Sequence, residues 1–597
     1  MVEYANEIND LRGVAMFYTK DHKTLNMFDP FGPLGPRRRK LLESSWAHLF
    51  RQEILPDLPV HKLTSCYSEL HGRPTKELYA MLGLMILQQM HDLTDDEAVD
   101  EFAFDFKWRY ALDVTGGSDE EGYISPRTLW SMRKILTEHN LYLSLFESVT
   151  DKLAKVFNID TGKQRIDSVH IQSNIRHLGR IGLFVATMTK FLRNLKRHHK
   201  GLFDALDKDL ADRYMTRRGE STFSMVKPSE SSRTLEALAN DLFYLVDRFR
   251  GHPRISSMTS YQLLVRLLRE QCSIDDGGET GETKVSIKPN SDVSSDSLQS
   301  PADPDAGYSH HKGKGYQVQV AETYEDSKDK SRPSLITHVA VEPADRSDAK
   351  ALLPFIEDTK KRNLGPDEVL ADTLYGGDEN VETAANELEV EVVSPVKGPE
   401  PGKDKSVSLT DFTLSKRGKV TSCPKGNAPF RTKHKKERHN AAFDKEVCSA
   451  CPLVDDCPVK PGKNGYYLHY DDRAARSARR RAYERTDAFR ERYRFRAGVE
   501  ATMSYYDRKT GVKRLRVRGI GPVSYCAVLK AAGVNILRAS AFKNRENRDN
   551  RPYLPPVQPV LGLFNFVKEL LSSTMDDFRK MMCQMYAGYR LPVKTNA

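Results

Sequence analysis

Three acidic side chains from distant parts of the chain have the residue types and positions that metal-assisted chemistry requires. Asp167 lies in Arg-Ile-Asp-Ser-Val-His and Asp372 in Val-Leu-Ala-Asp-Thr-Leu-Tyr-Gly-Gly-Asp, at the ends of predicted strands. Glu500 lies far downstream, on a predicted helix. Carboxylates are ligands that divalent cations such as Mg²⁺ prefer. The three acids therefore predict a site for metal-assisted phosphoryl transfer on a nucleic acid, in which they hold two ions.

The residues before Glu500 strengthen this prediction. Tyr493, Arg496 and Glu500 are separated by three and four positions, so on one helix they project from the same face. An arginine suits a phosphate group, and a phenol can form a hydrogen bond or stack on a base. This face therefore predicts a carboxylate metal ligand beside a phosphate-binding group.

Each aspartate alone also has an ordinary structural interpretation. Aspartates start turns and cap helices throughout proteins, so Asp167 alone is more often structural than catalytic. Asp372 is the stronger candidate because a predicted strand runs into it and a glycine turn follows. Asp378 competes with Asp372 locally, and it can instead cap the next helix. The combination of three acids in order favours the catalytic interpretation.

The segment around Glu500 also resembles a known family. Tyr493, Arg496 and Glu500 match the Tyr-x2-Arg-x3-Glu-x6-Lys signature of bacterial insertion-sequence transposases of the Asp-Asp-Glu class. At the signature lysine the chain has Asp507, followed by Arg508 and Lys509. The resemblance extends from about Ser44 to about Arg538, because several segments agree in order.

This resemblance implies a fold, an activity and partners. The fold is α/β, with a ribonuclease-H-like catalytic core that a helical and a Cys-rich insertion interrupt, after an all-α N-terminal domain. Asp167, Asp372 and Glu500 hold two Mg²⁺ or Mn²⁺ ions, and Tyr493, Arg496 and Arg508 contact DNA. The enzyme cuts double-stranded DNA at element ends and joins the freed 3′-hydroxyls to target DNA, as a homodimer. Two alternatives stay open: a metal-dependent endonuclease without strand transfer, and a transposase-derived DNA-binding protein.

The charge distribution favours a polyanionic partner. The chain of 597 residues has a net charge of +10, from 92 basic and 82 acidic residues. Between Asp471 and Arg496 there are ten arginines and five acids. Arg476 and Arg480 share a helix face at four-residue spacing and are predicted to contact DNA. A solvated helix face is the alternative interpretation of this run.

A cluster of cysteines predicts a second kind of metal site. Cys448 and Cys451 have the tight spacing of a zinc-binding pair, and Cys423 and Cys457 lie nearby. Thiolates suit tetrahedral zinc, and a cytosolic protein does not hold structural disulfides. His434 or His439 could replace one thiolate. We therefore expect one structural Zn²⁺ in this segment, in contact with DNA; four reduced, unliganded thiols are the alternative.

Composition and periodicity predict the order of domains, and the family resemblance implies the functions given to them. The predicted segments are a basic-ended arm (1–40), a helical domain that binds DNA ends (41–150), the first catalytic strand (151–180), a helical insertion (181–272), a flexible linker (273–306), the ribonuclease-H-like core (307–398), the Cys-rich insertion (399–470), the basic catalytic helix region (471–540) and a helical tail (541–597). The sequence shows no secretory h-region and no apolar stretch of membrane-spanning length. We therefore expect a cytoplasmic protein. The resemblance implies that it is bacterial and associates with the nucleoid when it is bound to DNA.

Overall fold

The computed structural model describes residues 17–24, 29–67, 74–175, 178–215, 223, 226–275, 284–327, 331–398, 407–549, 575 and 580. The chain divides into two compact units, Met1–Phe542 and Lys543–Ala597. The arm predicted for 1–40 lies partly outside the described residues, and so does most of the tail predicted for 541–597. Everything described below belongs to the first unit unless stated.

The strands and helices follow in chain order. The strands are β1 (Lys163–Gln172), β2 (Cys272–Asp275), β3 (Lys284–Ile287), β4 (Gly307–Ser309), β5 (Gly313–Thr323), β6 (Ile336–Pro343), β7 (Glu368–Leu370), β8 (Glu391–Val393), β9 (Thr413–Leu414), β10 (Val420–Ser422), β11 (Arg431–Lys435), β12 (Arg438–Phe443), β13 (Lys460–Gly462) and β14 (Gly465–Asp471). The helices are α1 (Pro36–Glu43), α2 (Trp46–Leu49), α3 (Val60–Thr64), α4 (Leu78–Met90), α5 (Asp95–Phe104), α6 (Phe106–Ala111), α7 (Asp119–Gly122), α8 (Pro126–Glu138), α9 (Leu141–Val156), α10 (Arg180–His198), α11 (Lys200–Asp204), α12 (Lys208–Met215), α13 (Ser231–Phe249), α14 (Pro253–Ser256), α15 (Thr259–Gln271), α16 (Leu352–Lys361), α17 (Asp378–Asn386), α18 (Lys445–Ser449), α19 (Asp472–Glu484), α20 (Asp487–Tyr493), α21 (Gly498–Thr510) and α22 (Ile520–Asp549).

A central mixed sheet carries two of the three candidate acids. Its strands follow the order β4-β5-β1-β7-β8, and β6 also pairs with β5. Strand β5 is antiparallel to β1 and to β6, whereas β7 is parallel to β1 and β8 is parallel to β7. Strand β5 is buried along most of its length, so side chains pack on both faces of the sheet. The carboxyl ends of β1 and β7 consequently point to the same edge.

The N-terminal helices share a hydrophobic core with this sheet. Nearly every residue of α4 is buried, and α5 begins at a capping box in which Thr94 and Glu97 each accept a backbone hydrogen bond from the other. One cluster of buried apolar residues joins these helices to β1, β5, β6, α21 and α22. At their contact, a Cβ on Gly533 of α22 would lie 2.6 Å from Met90 Cβ, so glycine permits the close approach.

The described part of α22 is both long and apolar. Ile520–Glu546 is the one helix, among the described residues, that is long and apolar enough to cross a membrane, with a mean hydropathy of 1.4. In this protein, 72% of the 18-residue stretch with that mean hydropathy is buried by the surrounding elements. An interior helix of a globular protein has the same character.

The helices α10 to α15 form a second core, centred on Phe184, Phe191 and Leu242. The segment predicted to be a flexible linker, 273–306, differs from that prediction in its described parts. Strands β2 and β3 pair as a hairpin, and Leu298 is buried in the second core. Asp303 is also buried, where it accepts hydrogen bonds from Ser173 and Tyr316. Composition suggests a linker because the few side chains that anchor this segment are a small minority of it.

The N-terminal region also contains a buried histidine whose charge should tune stability. His22 Nδ1 lies 3.3 Å from Asp113 Oδ2, and His22 Nε2 lies 3.5 Å from Glu77 Oε2. Burial lowers the pKa of His22, but the two carboxylates outweigh it and raise the pKa to about 9. This stabilisation is complete below the unfolded-state pKa of about 6.5 and is lost as the pH rises through 9.

We therefore expect the wild-type protein to lose more stability between pH 6.5 and 9 than a His22→Gln variant. Thermal unfolding of both proteins across this range measures the difference. Equal pH dependence in the two proteins would show that His22 is not charged in the folded state.

Candidate active site

Asp167 and Asp372 lie beside each other on neighbouring parallel strands, but Asp167 lies in the middle of β1 and not at its predicted end, because pairing with β5 continues the strand to Gln172. Strands β1 and β7 pair Lys163 with Glu368 and Arg165 with Leu370, an offset of 205 positions. Asp167 and Asp372 are separated by the same number (372 less 167 is 205). Asp372 is the second residue after β7, where its Oδ1 accepts a hydrogen bond from Leu374 N at 2.8 Å. The two aspartates therefore lie side by side at the edge where β7 ends, and α/β proteins place ligands at the carboxyl ends of strands.

Arg496 connects Glu500 to this edge. One guanidinium nitrogen of Arg496 donates to Asp167 Oδ2 at 2.8 Å, and the other lies 3.3 Å from Glu500 Oε1. The side chains of Arg496 and Asp167 are each 18% exposed, whereas that of Glu500 is 71% exposed. An arginine thus stands between two of the three acids, on the side that faces solvent.

The pKa of Asp167 reflects its burial and the other charges near it. Burial raises the pKa of Asp167, Arg496 opposes that shift, and the charges of Asp372 and Asp348 raise the pKa further. Several carboxylates close together are stabilised in their charged form by a nearby cation. Arg496 supplies one positive charge here, and the hard oxygen donors around it fit Mg²⁺ or Mn²⁺.

The segment around Glu500 is not the single helix that the spacing predicts. Tyr493 ends α20, Arg496 lies in a 3₁₀ turn over Arg494–Ala497, and Glu500 lies in the first turn of α21. Arg496 and Glu500 still meet across four positions. Tyr493 packs its ring against Phe489 with centroids 5.1 Å apart. The break occurs because a long-range contact determines where α21 begins.

That contact is made by Arg165, which projects from β1 under the start of α21. Arg165 Nη1 donates to Phe495 O at 2.5 Å. A Cβ on Gly498 would lie 2.1 Å from the same nitrogen, so only glycine leaves room for the guanidinium. Arg165 also lies 2.7 Å from Glu322 Oε1. The position of Glu500 is thereby fixed relative to the strand that carries Asp167.

Glu322 is the centre of this support. Its side chain has no solvent exposure, and it contacts Arg165, Thr502 of α21 and Arg538 of α22. Burial opposes ionisation of Glu322, but Arg538 and Arg165 outweigh it and lower the pKa. Three elements are therefore tied to one carboxylate of β5, which holds α21 against the sheet. No sequence pattern marks Glu322, since a charged side chain in a strand usually faces solvent.

Asp378, the competitor of Asp372, is occupied by another partner. Asp378 accepts two hydrogen bonds from Arg476, at 3.2 Å and 2.6 Å, and it lies in the first turn of α17. Arg480 donates to Gly376 O and to Ser394 Oγ, each at 3.0 Å. Burial lowers the pKa of Arg480. Arg476 and Arg480 therefore hold the loop after Asp372 against α19, where DNA contact had been expected of them.

The same is true of most of the arginine run, residues 473–496. Nine of its ten arginines contact protein groups: Arg476, Arg479, Arg480, Arg481, Arg485, Arg490, Arg492, Arg494 and Arg496. Arg492, for example, lies 2.7 Å from Glu391 Oε2 of β8 and also pairs with Glu368 of β7. Much of the positive charge in this run is thus engaged by groups of the protein itself, and Arg492 attaches α20 to the sheet.

Two further residues near the acids, Lys312 and Asp348, are not marked by any sequence pattern. Lys312 Nζ donates to Ser168 Oγ at 3.0 Å, next to Asp167, and lies 3.9 Å from Asp348 Oδ2. Asp348 also accepts a hydrogen bond from Gln319 at 2.8 Å. Lys312 lies in the turn between β4 and β5, and Asp348 lies just before α16. Only the pairing of β5 with β1 brings them to this edge, and no local motif signals that.

At the position where the signature has lysine, this chain has an acid with basic residues close by. Asp507, where the signature has lysine, lies 3.9 Å from Lys513 Nζ. Arg508 is exposed, and its Nε donates to Ser504 O at 3.4 Å. Ser504 and Arg508 follow Glu500 at intervals of four positions on α21. Arg508 therefore lies along the Glu500 side of this helix.

The cysteines converge in the Cys-rich module, residues 407–471. Cys423, Cys448, Cys451 and Cys457 line one small cavity of about 30 Å³, too small for an organic ligand. Burial, together with the other three thiols, raises the pKa of Cys448 to about 11. Among the described residues, only His434, His439 and Asp472 form a group of three whose ligand atoms all lie within 4.8 Å of one another. The four thiols and the three acids are each less tightly gathered than that.

Two family models match separate parts of the chain. One is described as Transposase DDE domain and matches residues 422–539, which include Tyr493, Arg496 and Glu500. The other is described as Transposase domain (DUF772) and matches residues 47–134, within the N-terminal helices. Asp167 and Asp372 lie outside both ranges. No curated protein and no solved structure matches the chain. Together the two matches indicate an insertion-sequence transposase of the DDE class.

Proposed function

We propose that this transposase cuts DNA at the ends of an insertion sequence and joins the freed 3′-hydroxyls to target DNA. The observation that supports the proposal is the contact of Arg496 with both Asp167 and Glu500, next to Asp372. The separation of Asp167 and Asp372 along the chain equals the offset between paired residues of β1 and β7. Phosphoryl transfer by two metal ions needs such a set of carboxylates.

The three acids would hold the metal ions, and the other residues would handle the DNA. When bound, two Mg²⁺ or Mn²⁺ ions activate the attacking oxygen and stabilise the leaving oxygen. Asp167, Asp372 and Glu500 neutralise the ions, and Arg496 turns from the acids to bind the reacting phosphate. Tyr493 forms a hydrogen bond or stacks beside that phosphate, and Arg508 contacts the DNA further along α21. Lys312 adds a positive charge next to Asp167.

The sheet supports a ribonuclease-H-like core as part of the proposal. A long antiparallel pair, β5 and β6, precedes two parallel strands, β7 and β8, on the other side of β1. Two insertions separate the parts of this core: the second core of α10 to α15 after β1, and the Cys-rich module after β8. Glu500 then returns to the sheet on α21.

Further assignments belong to the same proposal. The helices of residues 41–150 bind the element ends, two copies hold two ends together, and the reaction takes place on nucleoid DNA in the cytoplasm. The four cysteines bind one Zn²⁺, which draws their thiolates into the cavity they line. The exposed basic strand β11 of this module, which carries Arg431, Lys433 and Lys435, contacts DNA. Elemental analysis that finds no zinc would contradict the assignment to the cysteines.

The proposal is tested by an assay that separates cutting from joining. Purified protein is incubated with labelled element-end DNA, a target plasmid and Mg²⁺, and both cut ends and joined products are resolved. We expect both. Cut ends without joined products would favour a metal-dependent endonuclease, and binding without either product would favour a transposase-derived DNA-binding protein.

Arg496 should matter for cleavage far more than for binding. Its guanidinium lies at the acids, and its Nε is buried without a hydrogen-bond partner, so the side chain is placed for one more acceptor. Losing a charge-assisted contact at the reacting phosphate costs several kcal/mol in the transition state, about 100-fold or more in rate. We expect Arg496→Ala to lower the cleavage rate by that factor and DNA affinity by less than tenfold.

Arg494 provides the matched control. It lies in the same 3₁₀ turn, is exposed, and pairs with Glu491 at 3.0 Å on the surface. Arg494→Ala should leave cleavage within about threefold of wild type, as surface ion pairs contribute little. If the two variants lost affinity and cleavage alike, the position of Arg496 would have no catalytic meaning.

A further inference from the structure

Two histidines and an aspartate of the Cys-rich module and α19 meet at a place that neither the acids nor the cysteines use. His434 Nε2 lies 3.2 Å from Asp472 Oδ1, and His439 Nε2 lies 2.6 Å from the same oxygen. Imidazole nitrogens and a carboxylate are common zinc ligands. We propose that His434, His439 and Asp472 bind one Zn²⁺ ion, separate from any ion held by the cysteines.

The backbone places all three ligands. His434 and His439 are direct cross-strand partners on β11 and β12, so their side chains lie on one face of the hairpin. Their rings stack with centroids 4.1 Å apart. Asp472 is the first residue of α19, and its amide donates to Glu437 O in the hairpin turn at 2.9 Å. The three side chains thus converge because three elements are hydrogen-bonded together.

The separations fit an ion. With Zn–N and Zn–O bonds of about 2.0–2.2 Å, neighbouring atoms of a tetrahedral site lie about 3.3 Å apart. The distance of 3.2 Å between His434 Nε2 and Asp472 Oδ1 already matches. The shorter contact of His439 is a hydrogen bond, which an ion would replace. The spacing of the two histidines, with four residues between them, also falls in the range common for zinc ligands on one short segment.

The surroundings leave one coordination position open. The side chain of His439 is 2% exposed, and its ring lies flat against Tyr470 with centroids 4.8 Å apart. The side chains of His434 and Asp472 are 41% and 32% exposed. Three protein ligands with one side open to solvent leave room for water as a fourth ligand. Gly418, at φ +74°, closes the buried side, where a Cβ would lie 3.7 Å from His439 Nε2.

The ion would brace a strained hairpin. The turn between β11 and β12 consists of Lys436 and Glu437, with φ values of 47° and 61°. Both are in the left-handed region, which two-residue hairpins require and which glycine and asparagine occupy far more readily. A metal ion that links His434 to His439 holds the strands in register on either side of this turn.

The same ion would connect the hairpin to the candidate active site. Asp472 begins α19, and the next turns of that helix carry Arg476 and Arg480. Those two arginines hold the loop that follows Asp372, through Asp378 and Gly376 O. Zinc at the first turn of α19 therefore fixes the helix that supports one of the acids.

A hydrogen-bonded cluster without an ion is the competing interpretation. The hydrogen bond from His439, the largest influence, and that from His434 lower the pKa of Asp472 despite slight burial. An ion-free cluster requires only these bonds. The two interpretations differ in one measurable quantity, the number of zinc ions per chain.

Zinc content decides between them. Full-length wild type, His434→Ala, Asp472→Asn and the control His469→Ala are purified in parallel, and zinc per chain is measured by mass spectrometry. His469 is an exposed histidine of the same module, on β14, whose ring is 3.4 Å from Asn440 Nδ2. We expect His434→Ala and Asp472→Asn each to lose one zinc ion per chain relative to wild type and to His469→Ala. The variant His434→Cys should retain it, because a thiolate can replace the imidazole.

Cobalt substitution identifies which site lost the ion. In Co²⁺-loaded protein, the difference spectrum between wild type and His434→Ala should lack thiolate-to-cobalt charge-transfer absorption, because the site proposed here has no sulfur ligand. Equal zinc content in wild type, His434→Ala and Asp472→Asn would overturn the proposal. Charge-transfer absorption in the difference spectrum would overturn it as well, since the lost ion would then belong to the cysteines.

Discussion

Changing Asp167, Asp372 or Glu500 to its amide, one at a time, should abolish DNA cleavage while DNA binding persists. Each change keeps the shape of the side chain and removes a charged metal ligand. Metal ions contribute several kcal/mol to phosphoryl transfer, so the loss should be about 10³-fold or more. Cleavage rates and dissociation constants for the same labelled element-end DNA measure the two effects separately.

Glu491→Gln is the matched control for these three variants. Glu491 is an exposed acid close to Glu500 in the chain and pairs with Arg494 on the surface. It should cleave DNA at close to the wild-type rate. Retained cleavage in Asp372→Asn would move the assignment to Asp378, although the pairing of Asp378 with Arg476 opposes that outcome.

Glu322→Gln should cause the largest loss of stability among single substitutions near the site. Glu322 is fully buried and compensates both Arg165 and Arg538. Removing one partner of a buried charge network typically costs about 3–5 kcal/mol, because the remaining charges stay buried without compensation. Thermal or urea unfolding of the purified variant measures this cost.

The control here is Glu391→Gln. Glu391 also pairs with an arginine, Arg492, but its side chain is 59% exposed. Exposed ion pairs contribute about 0–1 kcal/mol, so this variant should unfold close to wild type. The lowered pKa of Glu322 adds a pH signature. Its contribution is present above the pKa of an unfolded glutamate and is lost as the pH falls through the folded-state value. Equal unfolding of both variants would contradict the role given to Glu322.

The sequence predicts those parts of the fold that local pattern controls. Thr94 and Glu97 have the spacing of a capping box at the start of α5, and Gln317–Val320 in β5 alternates polar and apolar residues as strands do. Predicted strand ends made Asp167 and Asp372 candidates, but Asp167 lies in the middle of β1, and the pattern did not show that the two are neighbours. That relation depends on the pairing of β1 with β7 across 205 positions, which no local pattern encodes.

Long-range contacts explain where the predictions differ from the structure. A 3₁₀ turn interrupts the helix expected through Tyr493, Arg496 and Glu500, because Arg165 on strand β1 reaches under Gly498. The arginine run has the composition of a nucleic-acid surface, yet Arg476 finds its partner in Asp378, 98 positions away. Composition records how much charge a segment carries, and the fold decides which groups neutralise it.

The most direct test of the central claim is to locate the catalytic metal. In crystals of the protein with element-end DNA and Mn²⁺, anomalous scattering shows the bound ions. The three-acid site predicts Mn²⁺ about 2.0–2.2 Å from carboxylate oxygens of Asp167 and Asp372, with Glu500 as a further ligand and Arg496 on the DNA phosphate. Mn²⁺ absent from these three acids, or found only at His434, His439 and Asp472, would contradict it.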